Sequence, residues 1–131
     1  MEECIAVDLD GFLTSFGPTG RFKAPKVCYF LFFLFFSPRP NEDNLIKVRK
    51  LKEAGYRIII LSARPEITRK LTEKWLERQN LEVDEIILVG PGEVKDKKLS
   101  VLLKRGIDYY FGDSIVTVRY LKRKGIITYK G

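Results

Sequence analysis

The stretch Cys4-Ile5-Ala6-Val7-Asp8-Leu9-Asp10-Gly11 is an apolar run that ends in two carboxylates, which are separated by one residue and followed by glycine. The apolar part predicts a buried β-strand. A carboxylate at the end of such a strand needs a cation or hydrogen-bond donors to compensate for the water that it loses. Asp8 and Asp10 therefore predict a site at the carboxyl end of this strand, completed by a metal ion, a phosphate group or both.

The composition favours a single domain over residues 1–131. The chain has 131 residues, of which 45% are hydrophobic, and this is enough to form one core. Histidine is absent, which excludes His-based triads and histidine metal ligands and leaves catalysis to carboxylates, hydroxyls and lysine. Cys4 and Cys28 lack the spacing of a zinc site, and their apolar surroundings favour a reducing, cytoplasmic location.

The formal net charge of +7 is concentrated near the end of the chain. Residues 94–131 carry 10 basic and three acidic side chains, whereas residues 1–93 carry 14 of each. We interpret this excess first as solvated helix faces. Binding of nucleic acid or collection of anionic substrates is the less favoured interpretation.

Short β-branched runs alternate with amphipathic segments, which predicts parallel strands joined by helices. We expect an α/β fold, with a three-layer, Rossmann-like open sheet that is mostly parallel and has helices on both faces. The predicted strands lie at about Cys4–Val7, Arg57–Leu61, Ile86–Val89, Tyr109–Phe111 and Ile126–Tyr129. The predicted helices lie at about Glu42–Ala54, Pro65–Asn80, Lys97–Arg105 and Ser114–Lys124.

Apolar residues at helical spacing predict the buried face of each helix. In chain order these residues are Leu45, Val48 and Leu51; Ile67, Leu71 and Trp75; Leu99, Leu102 and Leu103; and Ile115, Val118 and Leu121.

Polar residues follow three of the predicted strands. Ser62 follows the second strand and Asp113 the fourth, and Lys95, Lys97 and Lys98 lie near the start of the third helix. The carboxyl ends of parallel strands meet at one edge of a sheet, so these groups are expected to gather beside Asp8. Three carboxylates, a hydroxyl and an ammonium together predict a phosphoryl site with a divalent cation.

In this order the motifs resemble those of the haloacid dehalogenase (HAD) superfamily, whose members are mostly phosphatases, and the chain resembles a small, cap-poor member. Asp8-Leu9-Asp10-Gly11 looks like motif I, Ser62 like motif II, Lys98 like motif III and Gly112-Asp113 like motif IV. The resemblance covers nearly the whole chain. Lys95 and Lys97 lie so close in sequence to Lys98 that the choice among the three lysines stays open.

The resemblance implies a Mg²⁺-dependent phosphatase that hydrolyses a small phosphate monoester through an aspartyl-phosphate. Asp8 would be the nucleophile, and Asp10 would protonate the leaving group and then activate water. Asp8, the main-chain carbonyl of Asp10, and Asp113 would hold Mg²⁺. Ser62 and Lys98 would contact the phosphoryl group.

Main-chain N–H groups are expected to add phosphate contacts. These groups belong to Gly11 and Phe12 and to the start of the helix after Arg64. Ser62, Ala63 and Arg64 are further predicted phosphate-binding residues. The Arg64 side chain is a further candidate for gripping the substrate, although an arginine before Pro65 is more often a loop residue in a salt bridge.

Two alternatives to a phosphatase remain open. Many members of the superfamily have a second acid four residues after the motif IV aspartate, where this chain has Thr117. A weakly active or inactive phosphate-binding regulatory protein is therefore an alternative. A response-regulator receiver domain also combines acids, a hydroxyl and a lysine, but it would need an aspartate after the third strand, where this chain has Gly90-Pro91-Gly92.

The run Val27–Phe36 consists of ten apolar residues. As a helix it would span only about 15 Å, half of a membrane core, so a transmembrane segment is not expected. We expect the run to pack in the core and to form a homo-oligomer interface, with attachment to a membrane surface as a minor alternative. It lies in a predicted flap or insert at about 12–40, which is too short for a full cap domain.

Overall fold

A five-stranded parallel sheet organises the protein. The computed structural model describes residues 3–14 and 39–130. In this part of the chain the strands are β1 (Cys4–Val7), β2 (Arg57–Ser62), β3 (Glu85–Leu88), β4 (Tyr109–Gly112) and β5 (Ile127–Lys130). The helices are α1 (Glu42–Glu53), α2 (Arg69–Arg78), α3 (Val94–Arg105) and α4 (Ile115–Arg123), and a 3₁₀ turn (Glu66–Thr68) precedes α2.

The strand order is β3-β2-β1-β4-β5, and each described pair of neighbours is parallel. The predicted α/β fold class is confirmed. A receiver-type sheet has the order 2-1-3-4-5, in which the first strand lies beside the third. Here β1 lies between β2 and β4, so the receiver alternative is wrong.

The helices cover both faces of the sheet, because alternate residues of the central strands point to opposite sides. On one face Ile5 and Val7 of β1 share a core with side chains of α1 and α2. On the other face Ala6 of β1 shares a core with Leu102 of α3 and Leu121 of α4. Because helices cover both faces of the sheet, β1 and β2 need apolar side chains on both sides. They therefore appear in the sequence as continuous apolar runs.

The chain segments on either side of the predicted insert meet. Thr14 and Pro40 form an antiparallel bridge, and the Asn41 N–H donates to the Leu13 carbonyl at 2.7 Å. The Asn41 side chain then caps α1 by accepting from the Asn44 N–H at 3.2 Å. Most of the predicted insert, including Val27–Phe36, lies outside the described residues. The core packing of this run and its homo-oligomer interface therefore stay predictions.

None of the described helices is both long enough and apolar enough to cross a lipid bilayer.

Three residues predicted to lie on buried helix faces are exposed instead. Ile67 is 74% exposed, Leu103 61% and Ile115 46%. The buried face of α2 includes Thr72, which binds Arg64, and the buried face of α3 includes Lys98, which binds Asp8. These polar side chains can be buried because they have partners inside the fold. At these three positions the apolar spacing was misleading, because it gives no weight to buried polar residues.

Candidate active site

Asp8 lies directly after the central strand β1, at the carboxyl edge of the sheet. Its main-chain N–H donates to the Phe111 carbonyl at 2.8 Å, which ties it to β4. The residue is only 8% exposed, and its Oδ1 accepts the Leu9 N–H at 2.8 Å. Burial raises the pKa of the Asp8 carboxyl, Lys98 partly offsets this by charge and hydrogen bonding, and the charge of Asp10 adds to the increase.

Lys98 supplies the cation that faces Asp8. Its Nζ lies 3.1 Å from Asp8 Oδ1, although the side chain belongs to the first half of α3 and is almost completely buried. The other two candidate lysines point elsewhere: Lys97 Nζ donates to the Pro91 carbonyl, and Lys95 lies over the Tyr120 ring. Among the three lysines that the sequence left open, Lys98 is the one that contacts Asp8.

Asp10 is held by Arg64. The guanidinium donates from Nε to Oδ2 at 2.9 Å and from Nη2 to Oδ1 at 2.8 Å, a bidentate ion pair between the loops that follow β1 and β2. The Arg64 side chain is 2% exposed and the Asp10 side chain 12%. Arg64 therefore holds a carboxylate, as a loop arginine in a salt bridge does, and its proposed grip on the substrate stays a prediction.

Thr72 and Ser62 fix the position of Arg64. Arg64 Nη1 donates to Thr72 Oγ1 at 3.0 Å, and the Thr72 hydroxyl donates in turn to the Thr68 carbonyl at 3.0 Å. The Arg64 N–H donates to Ser62 Oγ at 3.1 Å. The Ser62 hydroxyl proton has no acceptor among the described residues, so it is available to an anion at this edge.

Gly11 brings Asp113 next to the turn that contains Asp10. Its φ of +85° is a left-handed conformation that favours glycine. A Cβ at this position would lie 3.3 Å from Asp113 Oδ2, so a side chain here would also crowd the carboxylate. Within the described part of the chain, Asp113 has no hydrogen bond or ion pair through its side chain. Its half-buried carboxylate faces the turn that contains Asp10 and Gly11.

The N–H groups of Gly11 and Phe12 both have acceptors inside the turn, and the phosphate contacts predicted for them stay a prediction. The Gly11 N–H donates to Thr14 Oγ1 at 3.1 Å, and the Phe12 N–H donates to the Leu9 carbonyl at 3.3 Å. Each N–H already has an acceptor inside the turn. The Phe12 ring is buried in the core, edge-on to Phe111.

The donors near Asp8 fit a hard cation in their chemistry. Among residues 3–14 and 39–130, no three His, Cys, Asp or Glu side chains lie close enough to share a metal ion. The set that the resemblance implies needs two side chains, those of Asp8 and Asp113, with a main-chain carbonyl from Asp10 as the third donor. All three donors are oxygens, which suits Mg²⁺. The Asp10 carboxylate is occupied by Arg64, in keeping with a main-chain contribution from that residue.

Two polar residues of the site were missed from the sequence. Tyr110 accepts a hydrogen bond from Lys98 Nζ, and Thr72 orients Arg64. Neither residue belongs to a recognised motif. Their signal in the sequence was that each polar side chain stands at a position of β4 or α2 where an apolar residue is expected. Thr117, where many relatives have an acid, is nearly buried in the first turn of α4 and supplies no carboxylate.

A groove lies away from this site. It has a volume of about 890 Å³ and is lined by the ends of α1 and α2 and by the loop that leads into β3. Its charged lining includes Glu73, Glu77, Asp84 and Lys52. This groove is at the amino edge of the sheet, opposite Asp8, and is not the candidate active site.

The sheet order and the helices on both faces define an α/β protein, and its similarity to solved structures gives the fold as HAD-like. No family model matches the chain, and no curated protein matches it. Among solved structures, the chain is similar to the HAD domain of effector protein Lem4 from Legionella pneumophila, with a TM-score of 0.58 and 16% identity. That match covers 99% of this chain and 85% of the Lem4 chain.

Two further structures match with higher TM-scores. One is described as the Pnkp1/Rnl/Hen1 complex, with a TM-score of 0.76 and 18% identity, covering 99% of this chain and 45% of that chain. The other is described as the Pnkp1/Rnl/Hen1 RNA repair complex, with a TM-score of 0.79 and 18% identity, covering 100% of this chain and 42% of that chain. This chain therefore spans less than half the length of the chains that it matches there. At these identities the likeness shows the fold alone.

Proposed function

We propose that the protein is a Mg²⁺-dependent phosphatase that hydrolyses a phosphate monoester through phosphorylation of Asp8. The observation that carries this proposal is the contact between Asp8 and the buried ammonium of Lys98 at the carboxyl edge of a HAD-like sheet. A carboxylate and a cation placed side by side are suited to attack on phosphorus and to neutralisation of the transferring phosphoryl group. The HAD-like structural neighbours support a phosphatase-like fold.

The chemistry assigns a separate task to each group. An Asp8 carboxylate oxygen attacks phosphorus, the P–O bond of the ester breaks, and the leaving oxygen takes a proton. Water then attacks the phosphorus of the aspartyl-phosphate, and the P–O bond to Asp8 breaks to release inorganic phosphate. Lys98 and the Ser62 hydroxyl donate to the phosphoryl oxygens in both steps. Mg²⁺, held by Asp8, Asp113 and the Asp10 carbonyl, supplies charge neutralisation when bound.

Asp10 is the proposed proton donor and acceptor, and Arg64 restrains it. Both Asp10 oxygens accept hydrogen bonds from Arg64. Proton transfer by Asp10 therefore requires that one of these hydrogen bonds opens when substrate is bound. Until then the ion pair holds the carboxylate against Arg64.

The first experiment measures hydrolysis of p-nitrophenyl phosphate by the purified protein. Release of nitrophenol is expected with millimolar Mg²⁺, and it is expected to fall to background when EDTA removes the metal ion, because the acidic groups then repel the anionic substrate. Adding Mg²⁺ back in excess of EDTA is the control and restores the rate. A protein that binds inorganic phosphate but shows no turnover with this or other esters would instead favour the phosphate-binding alternative that Thr117 suggests.

A second candidate function is action on, or binding to, nucleic acid, and the charge of α3 and α4 favours it. The only acidic residue of these two helices is Asp96, which accepts from the Tyr120 hydroxyl at 2.6 Å. Exposed basic side chains dominate this face of the sheet; they are Lys95, Lys104, Arg119, Lys122, Arg123 and the adjacent Lys124. Lys95 and Lys124 both lie over the Tyr120 ring, which gathers cations in one place. Two structural neighbours belong to complexes named for Pnkp1, Rnl and Hen1, one of them described as an RNA repair complex.

We expect the triple variant Arg119→Gln, Lys122→Gln and Arg123→Gln to bind a fluorescent single-stranded RNA oligonucleotide more weakly than the wild type. Each lost phosphate contact is expected to reduce the slope of log affinity against log salt by about 0.7. Anisotropy titrations at several salt concentrations measure this slope. The matched control is Lys47→Gln, Lys50→Gln and Lys74→Gln, which removes equal charge from exposed positions of α1 and α2. Equal affinities for the two triple variants would rule out the α3–α4 face as the binding surface.

A further inference from the structure

We propose that Tyr110 is a positioning residue that fixes the ammonium of Lys98 against Asp8. The catalytic meaning of this inference rests on the proposed phosphatase function. Tyr110 lies in β4, its side chain is fully buried, and its hydroxyl accepts a hydrogen bond from Lys98 Nζ at 2.8 Å. It has no place among the motifs that the sequence offered.

A lysine needs such a partner because its ammonium is a point charge on a flexible four-carbon stem. In this site the Nζ is fixed from two sides, by Asp8 Oδ1 at 3.1 Å and by the Tyr110 hydroxyl at 2.8 Å. An ammonium has three N–H groups. Two of them are used here, which leaves one for an oxygen of a bound phosphoryl group.

Gly112 makes room for the tyrosine. Residues two apart on a strand point to the same side, so the Tyr110 ring extends over Gly112. A Cβ on Gly112 would lie 2.6 Å from the ring carbon Cε1 and 2.9 Å from the hydroxyl oxygen. The glycine that precedes Asp113 is thus required by the position of the hydroxyl that holds Lys98.

The environment keeps the tyrosine in its neutral form. Burial, followed by the charge of Asp8, raises the pKa of Tyr110 well above its ordinary value. A neutral hydroxyl orients the ammonium without neutralising it. The positive charge of Lys98 therefore remains available to Asp8 and to the phosphoryl group.

The test is Tyr110→Phe, which removes the hydroxyl but keeps the ring and its packing over Gly112. We expect kcat for p-nitrophenyl phosphate to fall by about 10-fold or more, with KM changed by less than about 2-fold, because a displaced ammonium costs more in the transition state than in binding. The control is Tyr109→Phe, which removes a hydroxyl from the adjacent residue of the same strand; its kcat and KM are expected to match the wild type. A Tyr110→Phe enzyme with wild-type kcat would overturn the proposal.

A second measurement separates this inference from the proposed function, because it needs no turnover. The ¹⁵N-labelled side-chain ammonium of Lys98 is observed by NMR and assigned by its loss in Lys98→Met. We expect its chemical shift to change and its hydrogen exchange to accelerate in Tyr110→Phe and to stay unchanged in Tyr109→Phe. If the wild type hydrolyses no ester but this signal responds, the phosphatase proposal fails while the positioning role stands. If the chemical shift and hydrogen exchange of Lys98 are unchanged in Tyr110→Phe, the positioning role fails whatever the activity.

Discussion

The Asp8→Asn variant is expected to lose turnover while it keeps its fold. An amide cannot form the acyl-phosphate, so kcat is expected to fall by about 10⁴-fold or more, the size of loss seen when a nucleophile is removed. The asparagine has the same shape and retains an oxygen to accept the Leu9 N–H, which Asp8 Oδ1 now accepts at 2.8 Å. Initial rates with p-nitrophenyl phosphate measure the loss, and far-UV circular dichroism measures the retained secondary structure.

Asp108→Asn is the matched control for this variant. Asp108 is exposed and lies directly before β4, at the opposite edge of the sheet, so the same chemical change there is expected to leave kcat within about 2-fold of the wild type. Turnover by Asp8→Asn close to the wild-type rate would show that Asp8 is not the nucleophile. Loss of the circular dichroism signal would instead assign Asp8 a role in folding.

The Arg64→Met variant is expected to lose both stability and activity. Arg64 and Asp10 form a bidentate pair with side chains 2% and 12% exposed, and Arg64 also donates to Thr72. Removing one partner of a buried pair leaves the other charge without compensation, which costs about 3–5 kcal/mol of unfolding free energy. We also expect kcat to fall by about 10²-fold, because the Asp10 carboxylate is no longer held in place. Urea unfolding and steady-state kinetics measure the two effects.

Two further variants make this prediction specific. Arg69→Met removes an arginine whose side chain is 36% exposed, pairs with Glu66 and donates to the Ile86 carbonyl at 2.9 Å, so its effect on the free energy of unfolding is expected to be about 1 kcal/mol, well below that of Arg64→Met. Arg64→Lys keeps the charge but loses the planar fork, and its stability and kcat are expected to lie between those of wild type and Arg64→Met. An Arg64→Met protein as stable as Arg69→Met would contradict a structural role for the Asp10 ion pair.

The sequence predicted the sheet well because the signal for a buried parallel strand is local. The predicted strand over Cys4–Val7 has the bounds of β1, and the other strands differ by a residue or two. Residues such as Ile5 and Ala6 face different helix layers, so both must be apolar, and this requirement is visible in the chain itself. Helix faces were predicted less well: Ile67 and Leu103 match the apolar spacing but are exposed.

The residues of the candidate site were also predicted only in part. Asp8, Asp10, Ser62 and Asp113 were predicted from the sequence because each lies at or just after the end of a strand, and parallel topology brings strand ends to one edge. The choice of Lys98 over Lys95 and Lys97 was not available, because all three lie within one turn of a helix.

What the sequence by itself determined is therefore the α/β class, the strands and the set of acidic and hydroxyl residues at their carboxyl ends. Only the tertiary structure decided that Lys98 faces Asp8, that Arg64 binds Asp10, and that Tyr110 and Thr72 hold these two cations. Strand ends are fixed by local apolar patterns, whereas the partner of a buried charge depends on which side chains of distant segments are brought within hydrogen-bonding distance.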